Sequence, residues 1–156
     1  MHSAAVQIAA MRRDWPAFRL CGQSGGRLKW RGSLTPFATP YALQVELLMP
    51  REVGYCKRVG GQPRVTVLSP KLVCRLVEPT TPVPHVYKND KNPDLPLLCL
   101  YDPAEKEWDH NMLVAETIIP WSIEWLACYE LWHVDGVWVG GGRHPEPVSR
   151  PLRAST

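Results

Sequence analysis

Residues 41–49 read YALQVELLM. Tyr41, Leu43, Val45, Leu47 and Met49 occupy alternate positions, and the polar Gln44 and Glu46 fall between them. This is the period of a β-strand, whose successive side chains point to opposite faces, and it predicts one buried face and one wet face. Moving towards the N-terminus, RLKWRGSL (27–34) repeats the pattern, with Leu28 and Trp30 set against Lys29 and Arg31. Gly25-Gly26 is a turn signal and FRLC (18–21) a further strand-like run. Upstream, Ser3 can cap a helix over 4–13, rich in Ala, Met, Gln and Arg. Pro16 disfavours helical geometry at Trp15 and ends it. Moving towards the C-terminus, RVTVL (64–68) reads as a fourth strand, and KLVCRLV (71–77) as its extension or another strand. From Pro79 to Pro103 six prolines leave room for little regular structure beyond the run Leu95–Tyr101. In PWSIEWLACYELW (120–132), Trp121, Trp125, Tyr129 and Trp132 recur at helical spacing and form one aromatic stripe, read as core packing against the sheet. Pro120 suits the first turn of that helix and Gly136 its stop. Consecutive strands followed by a helix imply an α+β fold, an antiparallel sheet with helices to one side.

Composition narrows the function classes. A chain of 156 residues fits one domain with a single sizeable core. Its apolar share of 45% and charged share of 21% are ordinary for a globular protein. Net charge is only +3 and Lys and Arg are scattered, so no nucleic-acid groove or membrane patch is expected. No apolar run approaches the roughly 18 residues of a membrane span. In MHSAAVQIAAMRRD the arginines follow the apolar part, the reverse of a secretory signal, so this segment reads as a helix of the mature protein. Cys21, Cys56, Cys74, Cys99 and Cys128 are irregularly spaced and contain no C-x-x-C pair. Free thiols, no metal, no cofactor and a cytoplasmic location are the expectations. The three glycines of VGGGRHP lack the strand-to-helix setting of a phosphate loop.

The stretch LPLLCLYDPAEKEW (95–108) sets Cys99 between leucines at the end of the proline-rich segment. Residue type alone favours a structural cysteine. Position pulls the other way, because the run stops at Pro103 and His85, Tyr101 and Asp102 are polar groups in reach. A reactive cysteine needs solvent access and, in hydrolases, a positioned histidine. His85, His110, His133 and His144 are candidates, and spacing selects none of them.

Taken together, PHVY (84–87), LCLY (98–101) and Trp108 resemble the ubiquitin-conjugating enzymes. In that family a His-Pro-Asn triplet precedes the active-site cysteine and a tryptophan follows it. The run TIIPWSIEWLACYELW (117–132) and GVWVGGGRHP (136–145) are similar, more narrowly, to bacterial ubiquitin-conjugating-like proteins of CBASS antiphage operons, which encode cGAS-like cyclic-oligonucleotide synthases. The resemblance implies one ubiquitin-conjugating-like domain over 1–142 and a polar tail over 143–156. It implies an N-terminal helix, a four-stranded antiparallel meander, an active-site loop and a C-terminal helix. It implies that Cys99 is a nucleophile carrying the C-terminus of a partner synthase as a thioester and passing it to a target lysine, which primes the synthase. Val86 and Tyr87 follow His85, so the oxyanion-stabilising Asn of the triplet is missing, leaving a backbone N–H near Cys99, the Tyr101 hydroxyl or a histidine as donor. His85 either fixes the loop or takes part in chemistry. Asp102 either orients the incoming amine or opens a turn with Pro103. Trp108 reads as core, and His144 either folds back to the cysteine or belongs to the tail. Two other readings stay open, a non-catalytic docking module of the same fold and an unrelated cysteine hydrolase.

Overall fold

The computed structural model describes residues 1–50 and 63–141. It opens with α1 (Ala4–Asp14), where Ser3 Oγ accepts the Val6 N–H at 3.3 Å and satisfies one of the donors a helix start leaves over. The helix closes at Trp15, whose N–H donates to the Met11 carbonyl just before Pro16. Then come β1 (Arg19–Ser24), β2 (Arg27–Leu34), β3 (Tyr41–Leu48) and β4 (Arg64–Ser69), paired antiparallel in sequence order as the alternation predicts. Two short strands, β5 (Val86–Tyr87) and β6 (Leu97–Leu98), extend the sheet to the order β1-β2-β3-β4-β6-β5. α2 (Ile118–Asp135) follows, giving an α+β fold of the ubiquitin-conjugating type.

Register matches face to face. Leu28 sits opposite Leu47, Trp30 opposite Val45 and Val45 opposite Val65, all of them buried. Tyr41, Leu43, Val45, Leu47 and Met49 are all buried, as their spacing predicts. On the other face Lys29 lies opposite Glu46, and Glu46 takes salt bridges from Arg27 at 2.8 Å and Lys29 at 3.2 Å.

Residues 71–77 form no strand. Thr66 of β4 pairs with Leu97 of β6, so that edge is taken, and Leu76 and Val77 are exposed. A single bridge, Arg75 to Glu78, remains there. Tyr129 tethers the segment, its hydroxyl accepting the Val73 N–H at 3.0 Å and donating to the Val73 carbonyl at 3.2 Å.

α2 starts two residues before Pro120, which leaves the proline in the first turn, where its missing N–H costs nothing. It stops at Gly136, whose φ of 76° is the left-handed cap that glycine adopts freely. Trp125, Tyr129 and Trp132 are buried, and Trp125 stacks on Tyr129 with ring centres 5.6 Å apart. Trp108 is buried as well. Gln7, fully buried on α1, donates to the Met112 carbonyl at 2.8 Å and accepts the Val114 N–H at 3.0 Å. Those two bonds satisfy both ends of its amide and dock α1 on the segment leading into α2. No helix among the described residues is long and apolar enough to cross a membrane.

Candidate active site around Cys99

β5 and β6 pair as Val86 opposite Leu98 and Tyr87 opposite Leu97, which brings the two ends of the proline-rich segment together. The loop between them is closed by Asn89, whose Nδ2 donates to the Leu95 carbonyl at 2.8 Å. His85 immediately precedes β5 and Cys99 immediately follows β6, and the Cys99 N–H donates to the His85 carbonyl at 3.0 Å. The same carbonyl accepts Nε1–H of Trp125 on α2 at 2.9 Å. One backbone oxygen therefore joins the cysteine, the proline-rich segment and the C-terminal helix. His85 holds a left-handed φ of 52°, an uncommon state for a non-glycine residue. Its ring is buried and stacks on Trp138 with centroids 4.8 Å apart.

The Cys99 thiol is half-buried and lines a cleft of about 530 Å³. His85, Trp121, Trp125 and Trp138 line it with their rings, and Glu107 and Glu124 supply carboxylates. Sγ donates to the Tyr87 hydroxyl at 3.1 Å. Burial pushes the thiol pKa up; the Tyr87 hydrogen bond pulls it down, and the charges of Asp102 and Glu107 push it up again, leaving it above its ordinary value. Burial likewise raises the phenol of Tyr87, helped by its contact with Cys99.

The other residues singled out from the sequence are distributed as follows. Tyr101 lines the cleft, but its hydroxyl donates to the Pro63 carbonyl at 3.0 Å, and burial raises its pKa. Asp102 Oδ1 accepts the Ala104 N–H at 2.8 Å across Pro103, a side-chain-closed turn, while its own N–H donates to Glu107 Oε2 at 2.7 Å. His110 Nε2 lies 3.0 Å from the Leu48 carbonyl, and His133 packs against Tyr129 and Trp132, so neither is among the residues lining the cleft. His144 and the tail over 143–156 lie outside the described residues, as does Cys56. Cys21, Cys74, Cys99 and Cys128 are free thiols.

Sequence reasoning did not single out Tyr87, Glu107, Glu124 or Trp138 as site residues. Tyr87 carries a signal, since it stands two residues after His85 where the triplet has its Asn, although the sequence there shows only the loss of an amide. The other three are brought to the cleft by tertiary packing, which no local spacing encodes.

A family model described as Type II CBASS E2 protein matches residues 7–145. No curated protein matches the chain.

Proposed function

The chain belongs to the type II CBASS E2 proteins, and on that premise we propose that Cys99 carries an acyl group as a thioester, the C-terminus of a cGAS-like cyclic-oligonucleotide synthase, and transfers it to the amine of a target lysine. Loading requires an activated carboxyl, an acyl adenylate or another thioester delivered by a separate protein. The Cys99 thiolate adds to that carbonyl and the activating group leaves. In the second step the lysine nitrogen adds to the thioester carbonyl, the thiolate leaves, and the amine gives up a proton as the amide forms.

The observation that carries this reading is a cysteine at a strand end lining a cleft of about 530 Å³. A thiol suits the two steps because it is both a strong nucleophile and a competent leaving group. The raised thiol pKa lowers the thiolate fraction at neutral pH but increases the intrinsic nucleophilicity of the thiolate that forms. Glu107, Glu124 and the face of Trp121 suit an approaching ammonium through charge and cation–π attraction. Tyr101, Asp102 and His85 act in this scheme as supports of the loop.

A second reading is a docking module of the same fold, favoured by the absence of the triplet's Asn after His85, where Val86 and Tyr87 stand instead. A trapping assay separates the two. Wild type, Cys99→Ala and Cys99→Ser are mixed with the synthase carrying its C-terminus as an activated thioester and run on non-reducing gels. An adduct that thiol removes in wild type, that is absent in Ala and that resists thiol in Ser supports transfer. Binding retained in all three without any adduct leaves the docking module. The cysteine-hydrolase reading requires turnover of a small thiol-reactive ester in the absence of an amine acceptor.

A further inference from the structure

We infer that the Tyr87 hydroxyl is the oxyanion donor of this site, a catalytic role for a residue in contact with the reacting sulfur. The inference rests on the acyl-transfer reading of Cys99. Its geometric basis is the register of the β5–β6 ribbon. Tyr87 lies opposite Leu97, and Cys99 is two residues beyond Leu97. Two residues along a strand returns to the same face, so Tyr87 and Cys99 are diagonal neighbours, a separation that a long aromatic side chain spans. The result is the 3.1 Å contact between Oη and Sγ.

In the transfer step the amine nitrogen forms a bond to the thioester carbon and the carbonyl π pair moves to oxygen. The oxyanion so formed is two bonds from Sγ, so a hydroxyl touching the sulfur is within reach of it. Tyr87 donates its proton in a hydrogen bond to that oxygen without transferring it. The lone pair then re-forms the carbonyl, the C–S bond breaks with its electrons on sulfur, and the ammonium proton is lost to water or to a cleft carboxylate. Three other donors near the sulfur are already committed. The Tyr101 hydroxyl donates to Pro63, the Cys99 N–H to His85 and the Asp102 N–H to Glu107. Burial keeps the Tyr87 phenol protonated, as a donor must be.

The test compares wild type, Tyr87→Phe and Cys99→Ala, all full chain, with small probes that need no partner. Iodoacetamide alkylation against pH reads the thiolate. p-Nitrophenyl acetate reads acylation, and discharge of the acetyl-enzyme by Nα-acetyl-lysine reads transfer, each taken above the Cys99→Ala blank. The groups facing the thiol besides Tyr87 are His85, Tyr101, Asp102 and Glu107 from its own loop and ribbon and Glu124 and Cys128 from α2, and all are unchanged in Tyr87→Phe. Once the thiol ionises, the Tyr87 hydroxyl turns from acceptor to donor towards the sulfur, so its loss removes a bond that favours thiolate and the alkylation profile moves to higher pH. Acylation compared at equal thiolate fraction, and discharge compared at equal acetyl-enzyme, each slow by about 10²–10³-fold. Unchanged rates with Cys99 acetylated in both proteins overturn the role of Tyr87 and leave acyl transfer standing. Slowing confined to one of the two steps likewise overturns it, because an oxyanion forms in both. No acetylation above the blank in wild type overturns both readings.

Discussion

The Cys99 thiol lies beside the negative charges of Asp102 and Glu107, and both disfavour its ionisation. Glu107→Gln removes one charge while keeping an oxygen for the Asp102 N–H. The thiol pKa then falls, so alkylation near neutral pH becomes faster and the profile moves to lower pH. If Glu107 also draws the incoming ammonium, transfer to a lysine amine slows by about two- to fivefold, the worth of an exposed charge contact. Opposite signs in the two assays are the expected outcome, and parallel changes would remove the acceptor role from Glu107. At this scale the sequence was informative where residue type matters and silent where register does. Cys99 and Tyr101 stood out because a thiol and a phenol beside a proline-ended strand are chemically conspicuous. The link between Tyr87 and Cys99 depends on which residues of a two-residue ribbon face each other, and nothing local records that.

α1 is held by Gln7, whose amide bonds two backbone groups of a segment more than a hundred residues away in sequence. Gln7→Leu keeps the volume but leaves the Met112 carbonyl and the Val114 N–H without their side-chain partner. Each orphaned buried group costs about 1–3 kcal/mol, so the variant loses roughly 2–6 kcal/mol in a urea titration. A loss within about 0.5 kcal/mol, the usual range for a surface change, would show that the amide does not clamp the helix. Gly32 on β2 offers a second check, because a Cβ there would stand 2.5 Å from the Phe18 ring. Gly32→Ala should destabilise by about 1–3 kcal/mol through overpacking, measured in the same titration. The long elements were legible because β2, β3 and α2 each repeat their period several times. β5 and β6 are two residues each and have no period to read. Residues 71–77 failed for the opposite reason, since their apolar run suggested burial and the sheet edge beside them was already occupied by β6. The buried Gln7 carried no signal either, because in a helix of small residues it looks like a surface amide.

Across the whole molecule the candidate site is a junction. The sheet supplies Tyr87 and Cys99, α2 supplies Trp121, Glu124 and Trp125, and the chain beyond α2 returns to lay Trp138 on His85. The point where these layers meet is the His85 carbonyl, which accepts from both Cys99 and Trp125. Trp125→Phe deletes the helix's half of that junction and keeps most of the ring. The carbonyl retains the Cys99 N–H, so the lost hydrogen bond and the small void together cost about 1–2 kcal/mol. A domain stable by about 5–15 kcal/mol stays overwhelmingly folded after such a loss. Any fall in Cys99 acylation or discharge beyond the unfolded fraction then reports position and not stability. The prediction is a modest shift in the urea midpoint with a clearly larger loss of acetyl discharge, measured on one preparation. Discharge that merely tracks the folded fraction would mean that the strand end holds Cys99 without help from the helix, and that the indole bond to His85 serves packing alone.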